Sequence, residues 1–297
     1  MEFIKKLNIG ESEKGGEVVG KLLEKCPSLN EVRMMGKVLL SGSREFFESV
    51  LKMESLKILE LTSCNFLAEH AESIASMLSR NKTLQSLDLS VNDFGEQISV
   101  IFDSLKQNKF LKSFSSAYAT SIKGGVRPVL EVIQQSSTLT KLDISENEMS
   151  KEDCKEIFKI LKFNNSLSHL AFGSSSQNEQ LLEPLIEFIE CNRRMDSLLA
   201  FNIRVEEGNE AKQVLRAIKE NCSLTSLHLQ FGRRVEEVRM EIDQQLEKNK
   251  EIERKDEKVK ELLLILQKRR DGNLVGKLPR RVLLYLLSFL RSTRIPK

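Results

Sequence analysis

The sequence predicts an α/β solenoid, in which short parallel strands form one face and amphipathic helices form the other. Residues 84–94 read LQSLDLSVNDF, with apolar residues at the first, fourth and sixth positions and asparagine at the ninth. This spacing occurs nine times along the chain, at intervals of 25 to 29 residues. Amphipathic segments lie between the copies. A unit of strand, turn and helix cannot bury its apolar side alone, so stacked copies are expected.

The nine copies, numbered here as repeats 1 to 9, keep one register. Their first apolar positions are Ile4, Leu29, Leu56, Leu84, Leu111, Leu139, Leu167, Met195 and Leu224. The fourth and sixth positions alternate with the period of a strand and are expected to face the core. A buried asparagine at the ninth position can satisfy backbone groups left unpaired where the chain turns. Asn92 and Asn147 occupy that position, and Cys64, Ala119, Ser175 and Ile203 replace it elsewhere.

Apolar residues at helical spacing predict helices between the strands. The predicted helices are 67–80, 97–107, 151–163, 181–190 and 211–219. Ser150 and Asp153 form an imperfect cap at the start of one of them. Asparagines stand where the helices end and the chain enters the next strand: Asn81, Asn108, Asn165, Asn192 and Asn221.

Two regions are predicted: a solenoid over residues 1–250 and a helical cap or tail over residues 251–297. Val235, Val238, Ile242 and Leu246 keep helical spacing inside a densely charged segment and are expected to form the last repeat's helix. The open end of a solenoid exposes core, and a charged helix there is expected to cover it.

The repeat pattern resembles the leucine-rich repeat family over residues 1–250. The 28-residue period, and Cys64 in place of asparagine, are most similar to its ribonuclease-inhibitor-like branch. That resemblance implies a horseshoe with a concave parallel sheet, convex helices and a C-terminal helical cap. The irregular register and the lack of a second domain also resemble short leucine-rich-repeat effectors that intracellular bacteria such as Legionella deliver into host cells. These resemblances imply a protein-binding scaffold, acting in the host cytosol if it is an effector.

Composition excludes several other functions. The net charge is +3, from 46 basic and 43 acidic residues, which is too balanced for broad nucleic-acid binding. The five cysteines are odd in number and never spaced as C-x-x-C, so we expect free thiols and a cytoplasmic setting. No stretch approaches the roughly 20 apolar residues that span a bilayer. No phosphate loop, nucleophile elbow or metal-ligand spacing is present, so we expect no cofactor, no metal and no enzymatic activity. We also expect a monomer.

The concave face is the predicted binding site, because the residues between the core positions point outward from the sheet. Glu60 and Asp88 should be neighbours, and paired carboxylates can do acid–base work, but a shallow face offers little desolvation. The exposed aromatics Phe201 and Phe231 would suit an interface, with packing inside degenerate repeats as the alternative. The predicted partner-binding residues are Glu60, Asp88, Tyr118, Asp143, Glu146, His169, Leu199, Phe201, His228 and Phe231.

The C-terminal segment 278–290, LPRRVLLYLLSFL, has two interpretations. It resembles the opening helix of an F-box, which binds the adaptor of a cullin-type ubiquitin ligase, through Leu278, Pro279, Leu286 and Leu290. Arg281 stands where that motif usually has glutamate, and too few residues follow for the whole module. The alternative is a helix that only caps the solenoid.

Overall fold

The computed structural model describes residues 5–9, 16–36, 42–119, 126–147, 149–173, 181–221 and 223–268. At 201, 202, 256 and 259–268 it describes the backbone alone. The chain divides into two compact units, Met1–Leu246 and Glu247–Lys297. The first unit contains all the strands named below, and the described part of the second is helical to Lys268. The segment 278–290, with its two interpretations, lies outside the described residues.

Nine strands of the described chain form one parallel sheet, with the strands side by side in sequence order. They are β1 (Lys6–Ile9), β2 (Glu31–Met35), β3 (Ile58–Thr62), β4 (Ser86–Asp88), β5 (Ser113–Ser115), β6 (Lys141–Asp143), β7 (His169–Phe172), β8 (Ser197–Val205) and β9 (Ser226–Phe231). The predicted fourth positions pair directly across every neighbouring pair of strands, from Leu7 with Val32 to Leu198 with Leu227. The predicted fold class and register are confirmed.

Helices follow the strands on the other side of the core. They are α1 (Gly16–Glu24), α2 (Ser43–Leu51), α3 (Ala71–Arg80), α4 (Ile98–Gln107), α5 (Arg127–Gln135), α6 (Lys151–Leu161), α7 (Leu182–Cys191), α8 (Gly208–Glu220) and α9 (Glu236–Lys268). Short 3-10 turns precede α3, α4 and α9. The cap predicted at Ser150 is present, because its Oγ accepts from the Asp153 amide while the Asp153 carboxylate accepts from the Ser150 amide.

The core of the first unit lies between the sheet and the helices. Leu87 and Leu142, at the fourth position of the two best-conforming repeats, are 1% and 2% exposed. Phe66 and Phe94 hold the same position in successive repeats, and their rings stack with centroids 6.2 Å apart. Each repeat therefore buries its apolar side against its neighbours, as a solenoid requires.

The ninth-position asparagines hold the turns that follow the strands. The Asn92 amide nitrogen donates to the carbonyls of Leu61 and Leu89, and its oxygen accepts from the Phe66 amide. Asn147, 2% exposed, has the same arrangement two repeats later. One buried side chain thus satisfies backbone groups of its own and the preceding repeat, which confirms its predicted role.

A second set of asparagines joins the repeats where the helices end. Asn108, Asn192 and Asn221 are buried and each donates to a carbonyl of the preceding repeat. Helix α6 also ends shortly before Asn165, as predicted, but Asn165 is exposed and does not join the repeats. Asn164 makes the equivalent bond, with its side-chain nitrogen 2.5 Å from the Ile133 carbonyl oxygen. Like the other asparagines of this set, Asn164 lies three residues before the first apolar position of its repeat.

The register fails at one place, between β8 and β9. Leu199 pairs with His228, and the next pair is Arg204 with Gln230. Between these two pairs β8 has four residues, 200–203, and β9 has one, Leu229. The repeat spacing alone would set Phe201 beside Gln230 and Asn202 beside Phe231, but the structure pairs Arg204 with Gln230 and Val205 with Phe231. The buried Ile203 and Val205 extend the strand beyond the repeat pattern and shift the pairing.

Candidate functional site

The outward side chains of the strands form a surface, called here the sheet face. Its central column contains the fifth position of each repeat. These residues pair strand to strand as Asn8, Arg33, Glu60, Asp88, Ser115, Asp143, Ala171, Leu199 and His228. The predicted column is therefore correct, and Glu60 and Asp88 lie on neighbouring strands as expected. Asp143 is separated from Asp88 by Ser115.

Ion pairs occupy the N-terminal part of the sheet face. Glu31 accepts from Lys6 at 2.8 Å and from Arg33 at 2.5 Å, and Arg33 also contacts Glu60 at 3.0 Å. The Lys6 ammonium, followed by Arg33, lowers the pKa of the Glu31 carboxyl. Partial burial raises the pKa of Glu60, with Arg33 opposing the shift and the Asp88 charge adding to it. Charges of both signs are thus largely matched in repeats 1 to 3.

Asp88 and Asp143 use their carboxylates to hold the chain. Asp88 Oδ1 accepts from the Ser90 amide at 2.8 Å. Asp143 Oδ1 accepts from the Ser145 amide at 3.0 Å and from its hydroxyl at 2.6 Å. Both side chains stay partly exposed, so their remaining oxygen lone pairs face outward and give this part of the surface a negative charge.

The predicted histidines differ in their surroundings. His169 is partly buried, and its Nδ1 lies 2.8 Å from the Ser168 hydroxyl oxygen. Burial, and then the Lys141 charge, lower the pKa of His169, while Asp196 opposes the shift. His228 is exposed and pairs with the partly buried Leu199 on the neighbouring strand. These two histidines are not strand-to-strand partners, as the sequence pattern indicated.

Tyr118 and Glu146 lie just beyond the strand ends, at the eighth position of successive repeats. Both have left-handed backbone conformations, with φ of 52° and 56°. The Tyr118 side chain is 58% exposed, and its amide donates to the Ser145 carbonyl at 3.1 Å. Non-glycine residues rarely adopt this conformation, so the turn holds these side chains outward at a cost in backbone strain.

The two predicted aromatic contacts are not equivalent. The side chain of Phe201 is outside the described part of the chain. Phe231 is partly buried, packs against the core and has the Arg239 guanidinium 5.9 Å from its ring centre. This environment favours the alternative in which Phe231 serves packing. The predicted partner-binding residues did not include Met35, Leu67 and Val91, which are 62%, 42% and 47% exposed and which end or follow strands β2, β3 and β4.

Across the described residues, no cluster of three or more His, Cys, Asp or Glu side chains has the geometry to hold a metal ion. None of the described helices combines the length and apolar character that a membrane crossing requires.

Parts of the chain match known leucine-rich-repeat sequences. The family model described as Leucine Rich repeat matches residues 80–96 and 135–158, which include the fourth and sixth repeats' strands. The fold is a leucine-rich-repeat solenoid. This solenoid is 30% identical over 112 residues to mouse "NACHT, LRR and PYD domains-containing protein 4C", covering 37% of this chain and 11% of that protein. It is 26% identical over 179 residues to mouse protein 4E of that series, covering 59% and 18%. The chain therefore spans less than a fifth of these relatives' length.

Two solved structures also align with the solenoid. The tropomodulin C-terminal domain of Caenorhabditis elegans is 19% identical with a TM-score of 0.38, covering 62% of this chain and 95% of that one. Actin-binding site 2 of leiomodin-1 is 16% identical with a TM-score of 0.26, covering 82% and 95%. At these scores neither likeness supports a conclusion about ligands.

Proposed function

We propose that this chain is a non-catalytic scaffold that binds another protein on its sheet face. The observation that carries the proposal is the unbroken central column, which presents outward side chains from nine strands in register. Leucine-rich repeats generally mediate protein–protein interactions, and extended solenoid faces suit that use.

The rigidity of the face supports binding. Buried asparagines tie two of the turns to the preceding repeat, at Asn92 and Asn147. Side chains held on such a scaffold lose little freedom when a partner docks, so less of the interaction energy is spent on ordering. The mixture of carboxylates, hydroxyls and apolar groups along the column is typical of a polar interface with apolar contacts.

The arrangement of the carboxylates argues against acid–base catalysis. Asp88 and Asp143 each accept hydrogen bonds from nearby serine groups, which gives them a role in shaping the turn. Glu60, whose pKa is raised, contacts Arg33 and lies on an open surface that does not exclude water. A general acid or base normally works in a more enclosed site, where its proton affinity can be tuned further.

The test compares two matched double substitutions in capture experiments from a eukaryotic lysate. Asp88→Asn with Asp143→Asn keeps the hydrogen-bond acceptors and removes two charges from the sheet face. Glu72→Gln with Glu152→Gln removes two charges from exposed helix positions. We expect the sheet-face pair to change retention of a stoichiometric partner by about fivefold or more and the helix pair to leave it unchanged. Equal retention by both variants and the wild type would refute the proposal.

Three finer expectations remain predictions. These are membership of the ribonuclease-inhibitor-like branch, action as a bacterial effector on a host protein in the cytosol, and a ubiquitin-ligase adaptor role for segment 278–290. The adaptor role predicts that deleting 274–297 leaves solenoid stability unchanged and abolishes binding of one adaptor. The capping role predicts destabilisation of the last repeats instead.

A further inference from the structure

Four exposed apolar side chains end or follow the strands of four consecutive repeats. Met35, Leu67, Val91 and Tyr118 belong to repeats 2, 3, 4 and 5, and each follows or ends a strand. Among the described residues, ten large apolar side chains are exposed, and these four are the ones that end a strand or lie in the segment after it. They are called here the apolar rim. Val91 and Tyr118 hold the eighth position of neighbouring repeats, and exposed apolar side chains set side by side are a feature of interaction surfaces.

The backbone holds the apolar rim in a fixed shape. Val91 has φ of 61° and Tyr118 has φ of 52°. The Val91 amide donates to the Ala117 carbonyl at 2.8 Å, and the Tyr118 amide donates to the Ser145 carbonyl at 3.1 Å. Each strained residue is thus fastened to the following repeat. Because a β-branched side chain is especially unfavourable at positive φ, neither packing nor backbone preference accounts for an exposed valine at this position.

The charges described beside Val91 and Tyr118 have one sign, whereas those beside Met35 include Arg33 as well as Glu31 and Glu60. The segments that follow strands β3 to β6 are described at residues 63–70, 89–97, 116–119 and 144–147. Their charged residues are Glu69, Asp93, Glu96 and Glu146, and they contain no lysine or arginine. His70, the histidine in these ranges, is buried. Asp88 and Asp143 add negative charge from the adjoining sheet face.

We infer that the apolar rim binds an extended segment of a partner protein that carries lysine or arginine beside apolar side chains. The apolar side chains would contact Val91 and Tyr118, and the basic groups would face Asp93, Glu96 and Glu146. Charge complementarity selects this occupant, because phosphate-rich nucleic acids and anionic membranes would be repelled by the same carboxylates. This inference rests on the proposed function and adds the chemistry of the partner.

The test uses a labelled heptapeptide of alternating lysine and apolar residues, Lys-Leu-Lys-Phe-Lys-Leu-Lys. Two matched probes replace its lysines with glutamate or its apolar residues with serine. Fluorescence anisotropy should show binding of the first probe alone, and binding should weaken as salt is raised from about 0.05 M to about 0.3 M. Equally tight binding of the glutamate probe would overturn the inference.

Glycine substitutions in the chain separate binding from folding. Val91→Gly with Tyr118→Gly removes the two side chains and relieves positive φ, so the fold should be retained. We expect this variant to lose about tenfold or more in affinity for the lysine probe. Phe110→Ser with Phe163→Ser, at exposed positions in the loops that enter the strands, is the matched control and should change affinity less than about twofold. Loss of equal size in both variants, or in neither, would overturn the inference.

Capture of the full partner distinguishes this inference from the proposed function. If Asp88→Asn with Asp143→Asn loses the partner while the glycine variant keeps it, the sheet face binds and the apolar rim does not. If concentration-dependent self-association disappears in the glycine variant, the occupant is a second copy and the inference is wrong.

Discussion

Substitution of Asn147 tests how strongly one side chain holds two repeats together. Its nitrogen donates to the carbonyls of Ser116 and Ile144, both at 2.9 Å, and its oxygen accepts from the Ala119 amide at 3.1 Å. Asn147→Ala leaves those three buried backbone groups without this partner. An unsatisfied buried group costs about 1–3 kcal/mol, and partial hydration offsets some of that, so we expect a loss of about 3–5 kcal/mol in the free energy of unfolding.

Urea unfolding followed by circular dichroism measures this loss as a lower midpoint at similar slope. Asn147→Asp has nearly the same volume but cannot donate, so it should be at least as destabilising. Asn165→Ala is the control, because that exposed asparagine should contribute less than about 0.5 kcal/mol. A cost below about 1 kcal/mol for both Asn147 variants would refute the assigned role of the ninth-position asparagine.

The remaining predictions concern the core and the thiols. Leu142→Ala removes a side chain that is 2% exposed and should lower the free energy of unfolding by about 2–5 kcal/mol; an unchanged urea midpoint would contradict the register. The Ser116 hydroxyl is buried without a hydrogen-bond partner in the structure, so Ser116→Ala should raise stability by about 1 kcal/mol, and a lower midpoint would contradict that assignment. Thiol titration should count five free cysteines in denaturant, and fewer would indicate a disulfide. In the native protein the exposed Cys191 should react before Cys64 and Cys154, because burial raises the pKa of both of those thiols to about 12.

The strand register could be predicted from the sequence because one residue of slip would turn every core side chain outward. Apolar residues at the fourth position, such as Leu87 and Leu142, therefore fix the central column as well. The asparagine at the ninth position was also predictable, since a sharp turn after a strand leaves backbone groups to satisfy. The role of Asn164 follows from the same logic, but the neighbouring Asn165 made the sequence ambiguous.

Features that depend on local backbone geometry were harder to predict. The extension of β8 past Ala200 comes from Ile203 and Val205, which add strand alternation that the repeat spacing does not contain. The apolar rim was missed because exposure of Val91 depends on its positive φ, and the sequence pattern treats the eighth position as an arbitrary residue. Phe231 was assigned to the surface by spacing alone, whereas its packing depends on the shifted pairing with Val205.

Hydroxyl-radical footprinting of the chain with and without its captured partner tests the central claim most directly. Met35 and Tyr118, at the edge of the sheet face, are 62% and 58% exposed, while Phe163 and Met240, away from it, are 83% and 57% exposed. Methionine, tyrosine and phenylalanine side chains all oxidise readily when exposed, so each of the four residues reports on whether its own surface becomes covered. If the partner binds the sheet face, oxidation of Met35 and Tyr118 should fall while that of Phe163 and Met240 stays constant. Protection of Phe163 and Met240 with no change at Met35 and Tyr118 would contradict the claim.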